Sequence, residues 1–176
     1  MNLAKKTKRP NIILCEGNLD IVTLHQAGFD NAVASMGTAL TVEQTRLLSR
    51  FTKELVLCYD NDNAGKIATE RALQILNGSE FSVKVLQLPR RRTEDGELVK
   101  QDADDFIKFQ GADAFERLLN GSENGVEFRM AQVTGKYDFT SDESRVAYCE
   151  EISVLLASLP GAVEREVYTV RAAETA

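Results

Sequence analysis

Residues 55–65, LVLCYDNDNAG, hold the pattern on which the fold turns. Leu55-Val56-Leu57-Cys58-Tyr59 is an unbroken apolar run, the pattern of a strand buried on both faces of a sheet. Asp60-Asn61-Asp62 follows at once, and Ala64, Ala68, Ala72 and Leu76 then recur at helical spacing with Gly78 as a stop. Strand, acidic turn and helix in direct succession predict one βα unit of a parallel sheet.

The same grammar extends in both directions. Residues 11–15 (NIILC), 32–35 (AVAS) and 83–88 (VKVLQL) read as further buried strands. Helical patterns at 19–27 and 42–50 lie between them, the second opened by Thr41 and Gln44 spaced as a capping box. Residues 90–100 (RRRTEDGELVK) read as a surface hairpin, or flap, turning at Asp95-Gly96. From residue 112 onward only helical patterns remain, at 112–119, 125–133, 141–159 and 162–173. The third is expected to start with Thr140 and Glu143 as a capping box and to bury Val146, Cys149, Ile152, Leu156 and Leu159; Val163, Val167 and Val170 in the last need something to pack on. The fold class is therefore α/β: a Rossmann-like, mostly parallel sheet of about four strands flanked by helices, joined by right-handed crossovers and followed by an all-helical segment. The expected division is 1–111 for the α/β domain and 112–176 for the helical part.

With 176 residues and 43% hydrophobic content, the chain suffices for one well-buried core. No apolar stretch approaches the roughly 20 residues that span a bilayer, so a soluble, cytoplasmic protein with no membrane partner is expected. Cys15, Cys58 and Cys149 are an odd number and widely spaced, which argues against a disulfide framework or zinc ribbon and for buried thiols. His25 is the single histidine and reads as structural or exposed. Net charge is −6, the wrong sign for a chain that grips nucleic acid unaided. Bound cations, or a basic neighbouring domain, would have to supply the positive charge.

Acidic residues follow the strands in three places: Glu16 with Asp20 after the first, Asp60 with Asp62 after the third, and Asp102-Ala103-Asp104-Asp105 after the fourth and its flap. Ligands of open parallel sheets bind at the carboxyl ends of strands. Taken singly, Asp60 to Asp62 and Asp102 to Asp105 read as helix caps. Taken together, three clusters at one sheet end read as a site for Mg2+ or Mn2+, since the carboxylates would otherwise repel one another. Gly17 and Gly65 permit close backbone approach there.

Glu16-Gly17 after a first strand and Asp60-x-Asp62 after a third match the Toprim fold shared by bacterial primases, topoisomerases and some nucleases. From Glu16 to Gly65, again at Asp102-Ala103-Asp104-Asp105-Phe106-Ile107, and in the tail at Pro160-Gly161-Ala162-Val163-Glu164-Arg165-Glu166, the chain resembles DnaG-type bacterial DNA primases. That resemblance implies synthesis of short RNA primers from NTPs on a single-stranded DNA template, by nucleotidyl transfer with two or more divalent ions. It implies that Asp60, Asp62 and Asp102 hold metal, that Asp104 assists, and that Glu16 ligates metal or moves a proton. Asp20 would support Glu16, and Gly37 and Thr38 would shape the site.

Three departures accompany the resemblance. Asn18-Leu19 stand where the family commonly has an aromatic residue and Met; residues 90–100 are longer than the usual loop; and the zinc-binding, basic and helicase-binding regions expected of such primases are not recognisable. The chain is therefore expected to be part of a larger enzyme, inactive alone, with the replicative helicase contact in a missing C-terminal domain. Alternatives are a stand-alone Toprim endoribonuclease and a non-catalytic Toprim DNA-binding protein.

Overall fold

Strand β1 (Asn11–Cys15) leads into helix α1 (Asn18–Gln26), strand β2 (Ala32–Ala34), helix α2 (Val42–Leu48), strand β3 (Glu54–Cys58), helix α3 (Asn63–Leu76) and strand β4 (Ser82–Val85). This is the alternation the apolar runs predict, seen in a computed structural model that describes residues 3–35 and 40–176. A short hairpin, β5 (Arg91–Arg92) and β6 (Leu98–Val99), precedes helices α4 (Ala103–Gln110) and α5 (Ala112–Asn120) and a two-residue strand β7 (Glu123–Asn124). Helices α6 (Gly125–Thr134), α7 (Asp142–Ala157) and α8 (Ala162–Thr175) complete the chain.

The sheet order is β2-β1-β3-β4-β7. The first four strands run parallel, and β7 pairs antiparallel with β4 through Lys84 and Asn124. The sheet thus has a fifth strand beyond the four expected; two polar residues carry no apolar signal from which to read it. β1 and β3 are in register along their whole length, ending with Cys15 opposite Cys58. Their side chains are buried on both faces, with Ile13, Leu55, Val56 and Leu57 fully enclosed. The flap forms as expected, Gly96 taking φ of 86° at the turn, where a residue with a Cβ would be strained.

Contacts divide the chain into two units, residues 1–124 and 125–176. The division therefore falls after Asn124, not after residue 111. The reason is α5: Phe115 is fully buried and its ring meets Phe29 edge-on at 4.8 Å and Phe106 at 6.0 Å, so this helix is part of the first unit's core. In the second unit the core is Val133, Tyr148, Ile152, Leu155, Leu156, Leu159, Tyr168 and Ala172. The stripe on α7 is rotated from the expected one: Val146 and Cys149 are exposed, while Tyr148 and Leu155 are inside. Only Cys15 and Cys58 are buried thiols. Ser141, rather than Thr140, caps α7, its hydroxyl accepting from the Ser144 amide at 3.2 Å. Val163, Val167 and Val170 are exposed, and Tyr168 and Ala172 anchor α8 instead.

Candidate metal centre

Because Cys15 and Cys58 are paired at the ends of β1 and β3, the next residues are Glu16 and Tyr59, and Asp60 follows one residue later, where its amide and its charge both act on Glu16. The Asp60-Asn61-Asp62 turn then splits its side chains. Asn61 faces away, donating to the Leu88 carbonyl at 3.2 Å, and Asp62 caps α3 by accepting the Gly65 amide at 2.9 Å. Gly65 sits against the turn so closely that an added Cβ would lie 1.9 Å from the Asp60 carbonyl oxygen. Gly17 is similarly confined, its amide donating to Asp20 at 3.2 Å.

Asp102 caps α4 in the way Asp62 caps α3, taking the Asp105 amide at 2.8 Å. Each cap uses Oδ1 alone, so capping and cation binding are compatible in the same aspartate. Asp20 is buried and joins the two ends of the site: its Oδ2 receives the Gly17 amide and its Oδ1 the Asp104 amide, both at 3.2 Å. Asp104 turns toward α1 and its own helix, accepting from the Thr23 hydroxyl and pairing with Lys108.

The electrostatics follow from this crowding. Burial raises the Glu16 carboxyl above its ordinary range and the charge of Asp60 adds to it, against a hydrogen bond from the Asp60 amide. Asp20 is raised by burial and the nearby Asp102 charge, opposed by the amides it receives. Burial likewise raises Asp60; Lys100 opposes the rise, and Asp102 and Asp62 reinforce it. Asp62 is lowered, first by the Gly65 amide and then by Lys100, while Lys108 and Thr23 lower Asp104.

A hard divalent cation fits these residues. Glu16 Oε1 is buried with no hydrogen-bond partner among the described residues, a cost that a cation or a proton removes. Oxygens of Asp102, Asp104 and Asp105, one from each, lie within 4.8 Å of one another. Among the described residues, Glu16, Asp60 and Asp62 form no group that tight. The Lys100 amine lies at the latter pair instead, 2.9 Å from Asp62 Oδ2 and 4.0 Å from Asp60 Oδ2. Lys100 and Thr23 are thus site neighbours that the motif leaves out, and Asp105 is a member of the motif to which it gives no role. Neither Lys100 nor Thr23 carries a signal for this in its local sequence, because each meets its partner across a long span of chain. Gly37 and Thr38 lie outside the described residues.

The Toprim-like family model matches residues 13–107, more than half of the chain, and covers Glu16, the Asp60-Asp62 turn and the Asp102 cluster. The chain belongs to the Toprim-like family. This Toprim chain is 36% identical over 157 residues to the DNA primase of Clostridium acetobutylicum, an alignment covering 89% of the chain and 25% of that relative. The RNA polymerase domain of Mycobacterium tuberculosis primase DnaG, solved with double-stranded DNA, superposes with a TM-score of 0.80 at 27% identity, covering 99% of the chain and 54% of that domain. A DnaG primase catalytic domain bound to ssDNA gives 0.75 at 25% identity, covering 96% and 53%. The resemblance of residues 16–65 to DnaG-type primases is thereby borne out. The Toprim chain spans about a quarter of the length of the curated relatives it matches.

A second model, the DnaB-helicase binding domain of primase, matches residues 126–176. This region coincides with the second structural unit. It overturns the expectation that everything resembling a helicase-binding region lies outside the chain.

Proposed function

We propose that this chain is the catalytic-core portion of a bacterial-type DNA primase, which joins NTPs into short RNA primers on single-stranded DNA during replication in the cytoplasm. The single observation that carries this reading is the buried, unpartnered Glu16 Oε1 beside the acidic turn of a Toprim-like sheet. The primase matches at both ends of the chain favour it over a stand-alone endoribonuclease or a non-catalytic DNA-binding protein. Among the described residues no helix is long and apolar enough to cross a membrane.

Mg2+ or Mn2+ would be held by Asp60, Asp62 and Asp102, with Glu16 and Asp104 at the margins. Bound there, divalent ions supply charge neutralisation for the attacking and leaving oxygens of nucleotidyl transfer. Glu16, raised by burial, is suited to hold a proton at Oε1 or give it up to a cation. Asp20 keeps both oxygens on backbone amides and so orients the Gly17 turn and the start of α4 rather than ligating. Residues 126–176 would engage the replicative helicase, in keeping with the domain they match. Template and nucleotides need basic surface, and a chain of net charge −6 would take it from the rest of the parent enzyme.

The test is calorimetric titration of Mn2+ into the wild-type chain and into Asp60→Ala with Asp62→Ala. Binding that disappears in a still-folded double variant supports the reading; equal affinity in both removes it. The isolated chain is expected to make no primers from NTPs on single-stranded DNA, and primer synthesis by it would refute the need for a parent.

A further inference from the structure

Lys100 stands between the flap and the cap of α4, and its backbone is pinned on both sides. The preceding hairpin is anchored where the Arg91 guanidinium stacks over the Phe109 ring at 4.0 Å. Gln101, buried, donates its side-chain amide to the Pro89 carbonyl. From this fixed point the Lys100 amine reaches Asp62 Oδ2, the oxygen that capping of α3 leaves available, and approaches Asp60 Oδ2. It is the one amine paired with either carboxylate among the described residues.

We propose that Lys100 is a built-in occupant of the cation position: it neutralises Asp60 and Asp62 when no metal is bound, and a divalent ion has to displace it. The inference rests on the reading of Asp60 and Asp62 as metal ligands. An ammonium and a dication on the same oxygens would repel strongly at contact distance, so the two are exclusive. Displacement is feasible because the Lys100 side chain is 61% exposed on a flexible four-carbon stem, and exposed ion pairs are weak. The tether keeps a cation near the carboxylates whenever metal is scarce, which offsets their mutual repulsion and sets a threshold for metal loading. Linkage then requires the converse, that metal binding frees the amine.

Mn2+ binding to the full chain is compared for wild type, Lys100→Gln, Lys100→Arg and, as a control for net charge, Lys53→Gln, whose partner is Glu80. Lys100→Gln is expected to bind about two- to fivefold more tightly, the range set by an exposed pair, with Lys100→Arg and Lys53→Gln near wild type. Labelling of lysines with an acetylating reagent, read by mass spectrometry, is expected to speed up at Lys100 and not at Lys53 when Mn2+ is added. Equal or weaker binding by Lys100→Gln overturns the proposal while leaving the metal reading intact. Absence of Mn2+ binding by both wild type and Lys100→Gln overturns the metal reading and this inference with it.

Discussion

The Asp60 carbonyl oxygen occupies the place that a side chain on Gly65 would need. The acidic turn and the first turn of α3 are therefore one tightly packed piece, in which Asp62 takes the Gly65 amide. Gly65→Ala is expected to push the turn away from the helix, with an overpacking cost of about 2 kcal/mol. Circular dichroism should show a folded chain with a lower denaturant midpoint, and Mn2+ titration should show lost binding.

Asp62 has two separable duties. Asn caps helices about as well as Asp, so Asp62→Asn is expected to keep the stability of α3 while removing the ligand charge. Asp62→Ala is expected to lose the charge and about 1 kcal/mol of stability as well. Denaturant unfolding alongside metal titration separates the two; equal stability of both variants would deny the cap its role.

The Asp60 carboxyl is raised, chiefly by burial. The folded chain then holds a proton that the unfolded chain has released, so stability falls as pH rises from the ordinary aspartate range through the raised value. Above that window the deficit is complete; below it, both states are protonated and the deficit vanishes. In metal-free buffer, Asp60→Asn is expected to melt about 2 °C higher than wild type at pH 7.5 and at the same temperature near pH 3.5. Thermal scans across pH check this, and a wild type more stable than Asp60→Asn at pH 7.5 would contradict it.

Phe115 belongs to the first unit's core despite lying beyond the expected end of the α/β domain. Phe115→Ala is expected to cost about 3–5 kcal/mol, by leaving Phe29 and Phe106 beside a cavity. A loss below 1 kcal/mol would return α5 to the helical segment.

The parallel strands, their helices and the flap were legible in sequence because each depends on local patterns: apolar runs, helical spacing and a turn at Asp95-Gly96. The placement of acids at strand ends was legible for the same reason, since Glu16 directly follows β1 and Asp60 comes two residues after β3. The buried stripe on α7 differs from the expected one because Val146 and Tyr148 offer competing faces, and only packing chooses between them. β7 carried no signal because its stability comes from the edge of β4 rather than from its own two polar residues.

By itself, the sequence determined the α/β order and which carboxylates meet at one end of the sheet, because backbone periodicity and chain adjacency dictate both. The tertiary structure alone decided what those carboxylates do with their oxygens. Lys100 reaches Asp62 across 38 residues, and Thr23 draws Asp104 aside across 81. Contacts of that span depend on how the elements close in space, and no local pattern encodes them.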